Sequence, residues 1–147
     1  MKLLDAEETV VLVIGATAAA AERDRPLAER IKGEVDRRGE GHSWRRAVIV
    51  TDHQYFTSAG LQHSTAIAIG GPGSNAAAAH FADRLDTVFT QPDRFWVQAA
   101  MDAEPRRVAL WGVNSQATGE SVVAFLERGF LDDLLDRIWR VRPGMVM

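Results

Sequence analysis

The chain has 147 residues, 46% hydrophobic and 25% charged, the size and composition of one globular domain that can bury its own core. Its 17 basic residues stand against 20 acidic ones for a net charge of -3, so the overall balance gives no reason to expect a nucleic-acid partner. The absence of cysteine excludes disulfides, thiolate metal sites and cysteine nucleophiles.

The longest apolar stretches, TVVLVIGATAAAA and STAIAIGG, fall short of the ~20 residues a membrane-spanning helix requires. The opening MKLLDAEE turns acidic where a signal peptide would turn apolar. A cytoplasmic protein with no membrane partner is the expectation. No repeat, linker or composition shift divides residues 1–147, which read as a single domain.

Residues 9–14 form a continuous apolar, β-branched run, as for a strand covered on both faces, and Gly15 stops it. Leu27, Ile31 and Val35 recur every four residues and predict a helix over 26–38, with Asp24 as its cap and Gly39 at its end. Residues 47–51 and 66–70 read as the second and third strands. The next helix opens at Ser74 or Asn75, both good N-caps, with Ala77, Phe81 and Leu85 on one stripe.

Residues 87–101 fit either a hairpin turning at 91–94 or a strand followed by a helix opening at Pro92. Pro92-Asp93 suits the centre of a type I turn, and Phe95, Val97, Ala99 and Met101 alternate, which favours the hairpin. A strand over 107–111 ends at Gly112, and a helix over 117–128 follows. After Gly129, Leu131, Leu134, Leu135 and Ile138 define the apolar face of a last helix. On its wet face, the Asp133–Arg137 and Asp136–Arg140 pairs at i,i+4 are each worth ~0.2–0.5 kcal/mol. This order predicts a three-layer α/β domain, Rossmann-like or flavodoxin-like, with a mainly parallel sheet and an antiparallel hairpin insertion or edge.

In such sheets ligands bind beyond the carboxyl ends of the strands, so the residues after each strand are the candidates. Gly15, Ala16 and Thr17 follow the first strand, on a loop leading to Arg23 and Arg25. Asp52, His53, Gln54 and Tyr55 follow the second, residues 71–75 the third, and Asn114, Ser115 and Gln116 the strand ending at Trp111. The stretch Gly71-Pro72-Gly73-Ser74-Asn75-Ala76 fits G-x-G-x-x-G/A between a strand and a helix. Against a dinucleotide site stand Pro72, which lacks an N–H, the position after the third strand, and the want of an acidic ribose partner. Asp86 and Asp93 fall in or beside the β-rich insertion.

The expectation is instead a small anionic or polar molecule. The backbone amides of Gly71, Gly73, Ser74 and Asn75 would hold it, Thr17, Asn114 and Ser115 would add hydrogen bonds, and Arg23 or Arg25 would supply charge. The segment VLVIGAT at 11–17 resembles the opening of a Rossmann-type nucleotide domain; Ala18 to Ala21 occupy the positions where further glycines are needed, and there is no G-K-S/T. The strand–GGPxxN–helix segment is similar to short segments of some archaeal surface-layer proteins, over about ten residues that carry no function across.

Asp52-His53 is the best pair for acid–base work, since histidine titrates near neutrality and a carboxylate can orient it. With Ser74 it could complete a nucleophile set, although no G-x-S-x-G elbow is present. The histidines at 42, 53, 63 and 80 show no metal-ligand spacing, so neither a metal nor a cofactor is assigned. Arg37, Arg38, Arg45, Arg46, Arg106 and Arg107 are interspersed with acids and read as a solvated face. Trp96, on the opposite side of a strand from Phe95 and Val97, is the candidate contact of a homo-oligomer, and the apolar tail Met145-Val146-Met147 is expected to dock on its own subunit or on a neighbour. Ligand binding is thus the leading reading. A hydrolase or transferase using Asp52 and His53 is the first alternative, and a non-enzymatic homo-oligomeric scaffold the second.

Overall fold

The computed structural model describes residues 4–139. In chain order its elements are β1 (Val10–Ile14), α1 (Ala18–Arg38), β2 (Ala47–Thr51), α2 (Asp52–Thr57), α3 (Ala59–Gln62) and β3 (Thr65–Ile69). There follow α4 (Ala76–Ala82), β4 (Asp86–Gln91), β5 (Phe95–Ala100), β6 (Arg107–Gly112), α5 (Ser115–Glu127) and α6 (Phe130–Trp139). The strands form one sheet in the order β2-β1-β3-β6-β5-β4. β1 pairs in parallel with β2 and β3, and β3 in parallel with β6; β5 then runs antiparallel to β6, and β4 to β5.

The apolar run of β1 puts alternate side chains into two separate cores. Val10, Leu12 and Ile14 join Ile67, Ile69, Val108 and Leu110 beneath α1, α5 and α6. Val11 and Val13 join Ala66, Ala68 and Ala109 beneath Tyr55 of α2 and Ala77, Ala78 and Phe81 of α4. Both faces are covered, which is why every residue of β1 and all but the ends of β3 and β6 could be apolar. The small alanines of α4, β3 and β6 let that helix approach the sheet closely.

The hairpin is present and lies at the sheet edge. Its turn closes through Arg94 N–H to the Gln91 carbonyl at 3.0 Å, but it is not the type I turn expected: Asp93 has φ 62° where type I needs a negative φ, a left-handed conformation that aspartate tolerates better than most residues. Arg94 also grips Glu120 of α5 with two guanidinium bonds, the Nε one at 2.6 Å, which ties the hairpin to the first layer.

Two local expectations need correction. Helix α1 begins at Ala18, capped by Thr17 Oγ1 accepting from Ala20 N–H at 3.1 Å, and runs through Pro26 to Arg38. Asp24 is therefore inside the helix and is not its cap. Proline at this position removes only the bond to the Glu22 carbonyl, and both residues are exposed, so water can take that carbonyl. The apolar stripe and the alanine run hold the rest of the turn down. The segment between β2 and β3, to which the sequence pattern assigned no helix, is α2 and α3. Its start is a reciprocal capping box, in which Gln54 N–H donates to Thr51 Oγ1 at 3.1 Å and Thr51 N–H to Gln54 Oε1 at 2.8 Å.

The Asp133–Arg137 pair forms at 3.1 Å, and Arg137 also reaches Asp102. Arg140 and the Met145-Val146-Met147 tail lie outside the described residues. Of the arginines read as a solvated face, Arg37 and Arg38 pair with Glu34, Arg45 with Glu8 and Arg106 with Glu104, whereas Arg107 is half-buried and donates to the Gln62 and Ser64 carbonyls. Among the described residues no helix is long and apolar enough to cross a membrane.

Candidate functional site

Where neighbouring parallel strands lead to helices on opposite faces, their carboxyl ends leave a crevice. This sheet has two. Between β1, which leads to α1, and β3, which leads to α4, the crevice is filled by the protein itself. Asn75 is buried there, its Nδ2 donating to the Val13 carbonyl at 2.9 Å and the Ile69 carbonyl at 3.0 Å. Its Oδ1 accepts from Ala77 N–H at 2.9 Å and Ala78 N–H at 3.3 Å, so one side chain both joins the strand ends and caps α4.

The second crevice, between β3 and β6, is open. It forms a cleft of about 470 Å³ at the strand-end rim. Of the sequence-predicted residues, Arg23, Gly71, Gly73, Ser74, Asn114 and Ser115 line it. Sequence reasoning missed Asp24, Trp111, Val113 and Thr118, which line it as well.

The remaining predicted residues are placed elsewhere. Thr17 caps α1, and Arg25 is exposed outside the cleft. Asp52 has both oxygens on backbone amides, Oδ1 accepting from His53 N–H and Oδ2 from Ala76 N–H, each at 2.8 Å. It thus links the start of α2 to the start of α4. The bond between Asp52 and His53 runs through the His53 backbone and leaves the imidazole unoriented by that carboxylate. The turn expected to hold an anion uses its own amides: Ser74 and Asn75 N–H both donate to the Gly71 carbonyl at 3.0 Å. With Ala76, Ala77 and Ala78 N–H taken by Asp52 and Asn75, the start of α4 offers a ligand little.

Helix α5 differs. Asn114 Oδ1 accepts from Ala117 N–H at 2.8 Å and its carbonyl from Thr118 N–H at 2.9 Å, leaving the Ser115 and Gln116 amides without a protein acceptor among the described residues. The Thr118 hydroxyl is spent within the wall, accepting from Gly112 N–H and donating to the Asn114 carbonyl, both at 3.1 Å. Trp111 is fixed by its Nε1 donating to Gln98 Oε1 at 2.9 Å. Trp96, expected to seek a partner, stacks on Trp111 with ring centroids 4.3 Å apart and remains half-buried.

Asp24 is the anomaly of the site. It is 2% exposed, and its Oδ2 has no hydrogen-bond partner. Its place is made by Gly70, whose φ of 112° suits glycine and where a Cβ would come within 2.5 Å of that oxygen. Burial pushes the Asp24 carboxyl above its ordinary pKa, opposed in part by the positive charge of Arg23 beside it. The signal for it was in the sequence: Ala20, Asp24, Ala28, Ile31 and Val35 form one buried stripe, legible once the helix is extended through Pro26.

The raised pKa fixes the sign of a stability change. The folded protein holds this proton more tightly than the unfolded chain does, so the contribution is full at low pH and is lost as pH rises through the folded-state value. Asp24→Asn is expected to unfold at a higher temperature than the parent at about pH 7, with the gap closing on acidification. Thermal unfolding of both proteins, from about pH 8 down to about pH 4, checks this, and a gap independent of pH would contradict it.

Among the described residues no three histidine, aspartate or glutamate side chains come together as a metal site. Comparison of the chain with protein-family models finds no match, and comparison with curated proteins finds none either.

Proposed function

We propose that this protein binds a small polar or anionic molecule in the cleft between the carboxyl ends of β3 and β6. We further read its sheet as a Rossmann-like or flavodoxin-like one, because the parallel order β2-β1-β3-β6 places two helix-diverging crevices at one rim. The observation that carries the binding reading is Asp24, a buried carboxyl without a partner on the wall of an open cleft. Such a group destabilises the fold when charged and unpaired, and a perturbed acid in a cleft marks a candidate site. The free Ser115 amide at the start of α5, the Arg23 guanidinium and the Asn114 and Ser115 side chains supply polar groups around it. A volume of about 470 Å³ lies within the usual range of small-molecule pockets.

Catalysis by Asp52 and His53 has no comparable support, since the Asp52 oxygens serve backbone amides. The test is a thermal-shift screen with inorganic phosphate, carboxylates, amines, amino acids, sugar phosphates and nucleotides, read against a variant with the cleft filled. Gly71→Leu is that variant, because Gly71 lines the cleft and a Cβ there meets nothing within 4 Å, so the new side chain starts in open space. A ligand at 100 times its Kd stabilises by about 2.7 kcal/mol, roughly 5–10 °C for a domain of this size. The parent should show such a shift with at least one class and Gly71→Leu should lose it. A shift that survives in Gly71→Leu, or none with any class, overturns the proposal.

A further inference from the structure

The cleft offers three kinds of surface, and their combination narrows the ligand; the inference rests on the binding reading above. Asp24 lines the cleft with a carboxyl group that is 2% exposed: its Oδ2 is packed against Gly70 without a donor, and no donor among the described residues reaches its Oδ1, the oxygen left to a ligand. The group that would both donate to it and balance its charge is an ammonium. Arg23, the preceding residue, and the unpartnered amide of Ser115 at the start of the 13-residue α5, both in the cleft lining, favour an anion. Trp111, held by Gln98 and stacked on Trp96, and Val113, 56% exposed, supply apolar groups to the lining.

An ammonium alone would satisfy Asp24 and ignore Arg23 and α5, whereas a lone anion would meet the Asp24 charge at close range. Opposite charges on adjacent residues of one helix complement opposite charges on adjacent groups of one ligand. We infer that the cleft takes an α-amino acid with an apolar side chain, its ammonium on Asp24, its carboxylate toward Arg23 and the Ser115 amide of α5, and its side chain against Trp111 and Val113.

The test uses calorimetric titration of the full chain and its Asp24→Asn variant. The probes are phenylalanine and leucine, their deaminated analogues hydrocinnamate and isocaproate, their amine analogues phenethylamine and isoamylamine, and inorganic phosphate. The parent should bind at least one amino acid tenfold or more tighter than either of its half-ligands. Asp24→Asn should lose about tenfold or more for that amino acid while binding the deaminated analogue no worse. Since Asp24→Asn removes an unpaired buried charge, it is expected to fold. If phosphate or a deaminated acid binds the parent as tightly as the amino acid, or if Asp24→Asn leaves amino-acid affinity unchanged, the inference falls and the cleft-binding proposal stands. If no probe binds here and the broader screen is also silent, both fall.

Discussion

Asn75→Ala is expected to cost the domain about 4 kcal/mol, lowering Tm by roughly 10 °C or more. The side chain makes four bonds to the backbone, two of them to carbonyls at the ends of neighbouring strands. The position is 1% exposed, so water cannot replace what alanine removes. Two carbonyls and two amides would be left unpaired at about 1–3 kcal/mol each, of which local relaxation recovers part. Asn114→Ala provides the scale. That residue is also an N-cap but is exposed, and its loss should cost about 1 kcal/mol, the ordinary value of a cap. Asn75→Asp keeps the cap acceptor yet turns an oxygen toward the Val13 and Ile69 carbonyls, so it should resemble the alanine variant at neutral pH. Denaturant unfolding of the three variants decides the matter: equal losses for Asn75→Ala and Asn114→Ala would show that the bridge between strands carries no weight of its own.

Gly15→Ala is the second large effect, with an expected loss of about 3 kcal/mol. A Cβ at Gly15 would stand 2.1 Å from the Ser74 carbonyl oxygen and 2.8 Å from Ala20 Cβ. The first of these is backbone in a turn already held by the Gly71 carbonyl, so no flexible side chain can yield. To admit the methyl group, residues 71–75 must move away from β1, stretching the Asn75 bonds that cross the same crevice. The damage therefore reaches the cleft, whose wall includes Gly71, Pro72, Gly73 and Ser74. Gly71→Ala, where a Cβ meets nothing within 4 Å, should change stability by less than about 1 kcal/mol. Urea unfolding of the pair checks the contrast, and similar midpoints would overturn it.

These two positions share a lesson about the close-packed rim. Glycine at 15 lets a neighbouring backbone approach, and the approach brings the Asn75 side chain within reach of two strand ends. The stretch AIAIGGPGSNAAAAH thus spends its most distinctive residues on construction, and the unpartnered polar groups on the cleft wall belong to the start of α5 and to α1.

Much of the fold was legible because it is written in local patterns. The β-branched runs of β1, β2, β3 and β6, the alternation of β5, a turn at 91–94, though not its type, and a cap at Ser74 or Asn75 each depend on residues within a few positions of one another. Helix α1 was misread at its start because Pro26 is a strong local breaker, and what overrides it is not local: burial of Ala20, Ala28, Ile31 and Val35 against the sheet. The α2 capping box was present as Thr51 and Gln54, but a single short helix leaves no periodic trace to set it apart from a loop.

The candidate site was legible only in part. Listing the residues after each strand brought together Arg23, Gly71, Gly73, Ser74, Asn114 and Ser115. It also included Thr17, Arg25, Asp52, His53 and Asn75, because strand-end position says nothing about which crevice a residue enters. By itself the sequence determined the strands and the helices that carry a repeating apolar stripe, and that polar groups gather at one end of the parallel strands. The tertiary structure alone decided the order β2-β1-β3-β6-β5-β4, the closing of one crevice by Asn75, and the burial of Asp24 against Gly70 beside the other. Those outcomes depend on contacts between residues far apart in the chain, where strand pairing and desolvation outweigh local preference.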